Sequence, residues 1–499
     1  FTRADALGLL LLGLLAAWRF FFARGLALPA WVDSVHHTLI VQKFLEAGGV
    51  PASLAPEVQA PFFYHYGFHA VTAVFAGLSG LPAERAVLVM GQALNALASL
   101  SVYRLGRAFW PQGGKAVAAA LLAGFALQMP AYYLAWGRYT LLTGMILLPV
   151  GIALAHELAD TRPAQQDWQR TVKLQILSAG LALSHLLALA LLGVYLLIHS
   201  AAEGLRQRDL RPALRVLWPA GLGVALALPW LARILRFSGR YAGLEVIPPG
   251  AQGSAGYGAY LWELAGPLRN QVLLGLALLG LVLLLLRGPL RRLAVFAAVL
   301  ALLALPWGLR FEPFRPDHLL IVLYLPAALL SAELAGRLVL WAGRLPRRAR
   351  LAIFALTGLA LLAWSLADTA NLVRSDTLLA EPADVQALNW VGENTPADAR
   401  FLINTRLWQA ASYRGVDGGY WISTYTGRQQ LLPPAVYGYG APEEIRRVND
   451  LAARASSLTG CDDAFWRLVR ENQVSYLYLK EGVGSLQPQA LTACPGLLV

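Results

Sequence analysis

Asp33, His36 and His37 stand close together in Trp31-Val32-Asp33-Ser34-Val35-His36-His37, after the first long apolar run and its short flank, Arg24 to Ala30. An acid fixed where a chain has just left a bilayer can act as a general base, if it reaches the hydroxyl whose proton it takes. The residues behind it, Thr38 to Ala47, have helical periodicity, with Leu39, Ile40, Phe44 and Leu45 on one side and Lys43 and Glu46 off it. Gly48-Gly49-Val50-Pro51 stops that helix. The competing role for Asp33 is to cap the helix, since Asp is a preferred N-cap residue. The two roles are compatible.

The elements that must position these residues are membrane helices. Of the 499 residues, 57% are hydrophobic and 14% charged, against about 25% charged in a soluble domain. The mean hydropathy is +0.52. Repeated apolar runs near the length of a bilayer crossing make this a polytopic α-helical membrane protein. The net charge of +12 does not point to nucleic acid, because much of the arginine lies in short loops between apolar runs, where it sets topology. There is no phosphate loop, dinucleotide fingerprint, HExxH or CxxC motif, which disfavours a nucleotide-driven cytoplasmic machine. Leu7 to Phe22 is followed by Arg24 rather than a small-residue cleavage site, and reads as a retained span.

About eleven spans are expected, at roughly 5–23, 84–107, 115–135, 139–158, 172–185, 187–204, 213–235, 271–287, 292–309, 318–338 and 350–370. Five basic clusters lie between them: around Arg104 and Lys115, Arg162 and Arg170, Arg206 to Arg215, Arg287 to Arg292, and Arg344 to Arg350. Placing all five in the cytoplasm puts the N-terminus inside and the C-terminus outside, with Ser184-His185 at an outer turn. Phe62 to Gly80 is left without a crossing. It reads as a juxtamembrane helix inside a long first outer loop, residues 24–82; a true span there would invert everything after it.

The outer side then collects polar material: Arg138, Tyr139 and Thr140; the Gly/Pro/Tyr-rich loop with Arg240, Tyr241, Glu245 and Glu263; and Arg310 to His318, which includes Arg315. Individually, Arg138 and Arg310 read as snorkelling side chains at span ends. Their convergence on the Asp33 side is what argues for a site. Arg19 and Glu333 are ionisable residues within apolar runs, and neither suggests a proton relay. From about Asp376 the composition turns soluble. Residues 1–375 read as the membrane domain and 376–499 as a small extracytoplasmic α/β domain, with helices at 384–393, 442–457 and 462–472 and strands at 400–404 and 474–479. Cys461 and Cys494 both fall in that outer region, where an oxidising compartment favours a bridge between them.

Several stretches resemble the GT-C superfamily of integral membrane glycosyltransferases, including the oligosaccharyltransferase, protein mannosyltransferase and aminoarabinose transferase types. They are the Asp33 stretch, Pro61-Phe62-Phe63-Tyr64-His65-Tyr66, Met129-Pro130-Ala131-Tyr132-Tyr133 before Arg138-Tyr139-Thr140, Ala387-Leu388-Asn389-Trp390 with Asn394-Thr395-Pro396, and Asp417-Gly418-Gly419-Tyr420-Trp421. The resemblance implies transfer of a sugar from a polyprenyl-phosphate donor to a lipid, glycan or protein acceptor, with inversion. It places the active site and C-terminal domain outside the bacterial cytoplasmic membrane. Asp33 maps to the catalytic acid. Arg138, Arg240 and Arg315 are the candidates for the lipid phosphate, a role the planar guanidinium suits. Tyr139, Tyr241, His318, His36, His37 and His65 are further candidates for the donor. The oligosaccharyltransferase pattern has a second acidic motif that helps hold a divalent metal, but the matching turn here, Trp136 to Thr140, has no acid. A metal site is therefore not assembled from the sequence, although the histidines could in principle bind zinc. Two other function classes stay open: a polytopic lipid or glycan transporter, and a non-catalytic cell-envelope assembly protein.

Overall fold

The computed structural model describes residues 3–160, 168–241, 254–286, 290–305, 314–370, 372–409, 412–492 and 494–497. Helix α1 (Arg3–Ala23) leads through a short loop into α2 (Trp31–Ala47), which ends on Gly48 in the left-handed conformation (φ 60). An extended segment then reaches α3 (Gly67–Ser79) and the long α4 (Ala83–Phe109). At 13 residues α3 is about 20 Å long, short of the ~30 Å hydrocarbon core.

Next come α5 (Gly114–Leu121), which continues into a π-helical turn at Leu122–Ala126, then α6 (Tyr139–Asp160), α7 (Trp168–Ser184) and α8 (Leu186–Gln207). The span expected at 115–135 is thus shorter: regular helix stops at Ala126 and an irregular chain runs on to the Arg138 turn. The run expected as one span at 213–235 is two helices, α9 (Arg211–Leu226) and α10 (Leu228–Tyr241), bent by 64°. Pro229, just inside α10, has no N–H with which to continue the preceding helix. Helix α10 instead lies on the first loop, where Arg233 donates to the Phe62 and Ala52 carbonyls at 2.8 and 2.9 Å. Helices α11 (Ser254–Leu264) and α12 (Leu268–Leu286) are bent by 94° at Gly266-Pro267, where Gly266 has φ 79. The helical part closes with α13 (Arg291–Leu303), α14 (Pro316–Val322), α15 (Tyr324–Trp341) and α16 (Arg347–Ala370).

Among the described residues, five helices are long and apolar enough to cross a membrane, or up to seven if each bent pair is one span. Carboxylates on neighbouring helices are clamped by the basic clusters. Glu157 pairs with Arg104 at 2.8 Å and Arg170 at 3.1 Å. Glu333 pairs with Lys115 at 2.6 Å and Arg337 at 3.1 Å. Glu203, 1% exposed, pairs with Arg206 and Arg292. Removing one partner of a buried pair costs about 3–5 kcal/mol. Glu333 is thereby a packing clamp. By chain connectivity all three clamps sit at the helix ends opposite Asp33.

The C-terminal elements are α17 (Pro382–Asn394), β1 (Arg400–Ile403), β2 (Thr405–Gln409), β3 (Ser412–Gly415), α18 (Ile422–Thr426), β4 (Gln429–Gln430), α19 (Pro442–Ser456), α20 (Asp463–Glu471) and β5 (Tyr476–Tyr478). Strands β4, β1 and β5 form a parallel sheet in that order, while β2 and β3 make an antiparallel pair that sequence periodicity did not indicate. One face of the sheet contributes Phe401 and Ile403 to a core shared with α17 and with Val32, Val35, Leu39 and Phe62 of the first loop. The other packs Leu402 against Leu451, Phe465 and Leu468. Cys461 and Cys494 are joined, with Cα atoms 6.0 Å apart.

Candidate functional site

Asp33 is the third residue of α2. The helix starts at Trp31 rather than Thr38, the cap position is Ala30, and no side-chain capping bond is made. The capping role is therefore set aside. The first residue of the helix, Trp31, is itself unusual. It holds φ 72, a strained conformation for a bulky residue that costs about 1–3 kcal/mol. The C-terminal elements hold it there: the Arg414 guanidinium lies 4.8 Å over the Trp31 ring and Trp408 meets it edge-on at 6.5 Å.

The Arg138 turn is pressed onto α2 through Gly137. That residue has φ 60, and a Cβ on it would meet the Ser34 backbone nitrogen at 2.8 Å. The close approach places Arg138 within electrostatic reach of Asp33. Burial raises the Asp33 carboxyl from 3.8 to about 6, and the Arg138 charge opposes the rise. Tyr64, whose hydroxyl is hydrogen-bonded with Thr140, and Tyr420 from the C-terminal elements also lie within reach of Asp33; burial raises both phenols.

From Arg138 a polar chain continues. Its guanidinium meets His318 Nε2 at 3.1 Å. The His318 ring lies 3.9 Å from Asp317, and Arg315 donates to both oxygens of Asp317 at 3.2 and 3.1 Å. Asp33, Arg138, His318 and Arg315 are all half-buried, so each combines a protein-lined setting with access from outside. Asp317 and Tyr420 were not picked out from the sequence. Asp317 stands in the Arg310–His318 stretch and Tyr420 in the Asp417–Trp421 motif, so residue type within a recognised motif was the only available signal. Arg240 and Tyr241 end α10 with side chains outside the described residues. Glu245 and Arg310 also lie outside them.

His36, His37 and Tyr139 are placed differently from expectation. They are 7%, 1% and 0% exposed, so they stand in the packed interior, where a surface position was expected. His37 Nδ1 and His69 Nε2 are 2.9 Å apart. The His36 and His37 rings meet at 4.4 Å, and the half-buried His65 meets His185 at 4.7 Å. Burial holds His36 and His185 at about 3 and puts His37 and His65 well below the ordinary histidine value. Neutral rings offer single N–H donors but no charge for a phosphate. Gly67 brings these rings together, since a Cβ there would meet the Ser184 backbone at 3.0 Å.

Among the described residues no group of three His, Cys, Asp or Glu side chains has the arrangement to hold a metal ion. The second acid, Asp317, is already engaged by Arg315, and the charged neighbour of Asp33 is a guanidinium. Hard cations need several converging oxygens, so this donor set does not fit one, and no step below runs through a metal.

Solved structures share the architecture. The oligosaccharyltransferase AglB of Archaeoglobus fulgidus, in complex with an inhibitory peptide and a dolichol-phosphate, is 12% identical with a TM-score of 0.60, covering 95% of this chain and 69% of its own. ArnT from Cupriavidus metallidurans, bound to undecaprenyl phosphate, is 14% identical with a TM-score of 0.59, covering 90% and 88%. The arabinofuranosyltransferase AftD from Mycobacteria is 19% identical with a TM-score of 0.56, covering 94% of this chain and 35% of that one. All three are GT-C glycosyltransferases, so this chain has the GT-C fold and is a multi-pass membrane protein. No curated protein matches the sequence. The sequence matches one family over residues 2–478, and on that extent the chain belongs to the family of unknown function DUF6541.

Proposed function

We propose that this protein transfers a sugar from a polyprenyl-phosphate donor to an acceptor hydroxyl at the outer face of the bacterial cytoplasmic membrane. The observation that carries the reading is the half-buried Asp33 beside Arg138, with His318 and Arg315 added from the start of α14, His318 being 180 residues from Arg138. Asp33, with its carboxyl raised to about 6, is ionised at neutral pH and still basic enough to take a proton. The acceptor oxygen attacks the anomeric carbon as Asp33 takes its proton. The bond from that carbon to the phosphate oxygen breaks, and the lipid phosphate leaves with the electron pair. Arg138 and Arg315 meet the growing charge, and the His318 N–H adds a neutral donor. A single displacement inverts the anomeric centre.

The donor enters sideways from the bilayer, in keeping with the lack of a nucleotide motif. The clamps at Glu157, Glu203 and Glu333 gather the basic clusters at one end, which supports a cytoplasmic placement of that end. In that orientation the N-terminus lies inside and residues 376–499 form an outer domain on a 1–375 membrane domain. The joined Cys461 and Cys494 suit an oxidising compartment. Mass spectrometry of cell-surface glycans and lipids, in cells with the wild type, with Asp33→Asn and without the protein, tests the reading. It predicts that one sugar-bearing species is lost equally in the last two; an unchanged profile in both rules it out.

A further inference from the structure

The parallel sheet of the C-terminal elements has an open edge. Its order is β4, β1, β5, so β5 is outermost, and among the described residues no strand pairs with its far side. The register fixes which main-chain groups point there. The Phe401 carbonyl of β1 accepts from Leu431, just past β4, at 3.0 Å, and Phe401 is aligned with Tyr476 of β5. Aligned residues of a parallel pair turn their main-chain groups the same way, and successive residues alternate. Tyr476 and Tyr478 therefore turn theirs to β1, and Leu477 turns its N–H and C=O to the open edge. Such an edge is a template for another extended chain.

A cleft lies against that edge. Its volume is about 430 Å³, within the range of ligand sites. One side is α17, through Ala387, Trp390 and Val391, and Phe401 adds to it from β1. The other side is the run from Tyr476 to Lys480, every residue of which lines the cleft. Side chains of a strand alternate between its faces, so the strand edge itself forms part of this wall. Trp390 is 56% exposed. The charged lining is already engaged: Asp384 accepts from Tyr478 at 2.7 Å and from Lys480 at 3.1 Å, and Lys480 also donates to Glu381 at 2.9 Å. What is left for a ligand is apolar and aromatic surface beside open main-chain groups. The cleft is separate from the Asp33 site. A Cβ on Gly418 would meet Asp384 at 2.5 Å, so Asp384 packs on the turn at Gly418, and Tyr420, farther along that turn, is the residue within reach of Asp33.

We propose that β5 and this cleft dock an extended polypeptide segment of a partner protein on the same side of the membrane. The segment adds a strand to the β5 edge, its main chain bonding to Leu477, and one large apolar side chain enters the cleft against Trp390, Phe401 and Tyr476. Open main-chain donors and acceptors are matched by another main chain. A glycan would instead need polar side chains free to meet its hydroxyls, and Asp384 and Lys480 are taken by each other and by Tyr478 and Glu381.

The full chain in lipid nanodiscs is panned against a phage-displayed library of random decapeptides, and the strongest binder is synthesised. Its affinity is read by isothermal titration calorimetry and its footprint by hydrogen–deuterium exchange. The expected binder carries a large apolar residue and slows exchange in the segment from Val474 to Lys480. Trp390→Ala weakens it about tenfold or more, as for an aromatic anchor. Ala387→Arg, which fills the cleft, has the same effect. N-methylation of alternate peptide nitrogens abolishes binding in one of the two registers, because it removes the donors that pair with the edge. That modification leaves the protein untouched, so it carries the test if neither variant folds. Selection of no peptide, or only of peptides that protect other segments, overturns the site. Affinity kept in both variants, or N-methylation tolerated in both registers, overturns it as well. Without a peptide binder, binding of maltotetraose that Trp390→Ala abolishes overturns the assignment in favour of a glycan, and a dimer that Trp390→Ala abolishes overturns it in favour of a second copy of this chain.

Discussion

Replacing Asp33 with Asn separates chemistry from structure at the candidate site. Its carboxyl rises from 3.8 to about 6 because burial disfavours the charge. At about 1.4 kcal/mol per pH unit the shift corresponds to about 3 kcal/mol against ionisation, and water reaching the half-buried group lowers this to ~1–3 kcal/mol. The folded value lies above the unfolded one, so the stabilising effect of the protonated acid is complete below pH 3.8 and is lost as pH rises through about 6. Above pH 7 the wild type carries the full cost and Asp33→Asn carries none. The variant should match the wild type in thermal unfolding at pH 3.5 and exceed it at pH 7.5. Turnover should fall about 10²–10⁴-fold, the contribution of a positioned general base. Reconstituted protein would be assayed against a panel of polyprenyl-phosphate sugars between pH 5 and 8. Wild-type kcat/KM should rise through about pH 6 to a plateau, and the variant should show a low, flat profile. A variant within tenfold of wild type, or a wild-type profile with no rise between pH 5 and 7, would refute the base assignment.

Arg138→Gln removes the charge that holds Asp33 down; the acid limb of the pH–rate profile should move above 6 and the donor KM should rise, with an unmoved limb counting against the pairing. Asp317→Asn frees Arg315 from its bidentate partner, so donor affinity should change while the Asp33 limb stays at about 6; steady-state kinetics across pH separates the two. Gly137→Ala sets a Cβ against Ser34 at a positive φ, which should cost about 1–3 kcal/mol and lower turnover by moving Arg138 away from Asp33, read by thermal unfolding and the transfer assay. Cys461→Ser opens a loop spanning 33 residues, which should cost the C-terminal elements about 3–4 kcal/mol, seen as faster proteolysis there. Readily alkylated thiols at both cysteines in unreduced wild-type protein would contradict the bridge.

Apolar runs long enough to cross a bilayer, with arginine between them, mark the membrane helices in the sequence, because hydrophobic length and charge are properties of each segment alone. The same holds for α17, α19, α20, β1 and β5, whose periodicity is local. Asp33 stands out for the same reason, as an acid where an apolar run ends. Its surroundings are a different matter. Trp31, at the α2 start, packs against Arg414 and Trp408, nearly 400 residues away. The Asp317–His318–Arg138 chain joins the first turn of α14 to the Arg138 turn, which no local pattern connects. His36, His37 and Tyr139, expected at the surface, are buried. Packing also set Arg19, a charge in an apolar run, within electrostatic reach of Arg269. Sequence marks which segments are apolar and which residue types stand at their ends; where a run breaks, as at 213–235, is a matter of packing. Which of those residues face one another, and which lose contact with water, is decided only when the helices and the C-terminal elements pack together.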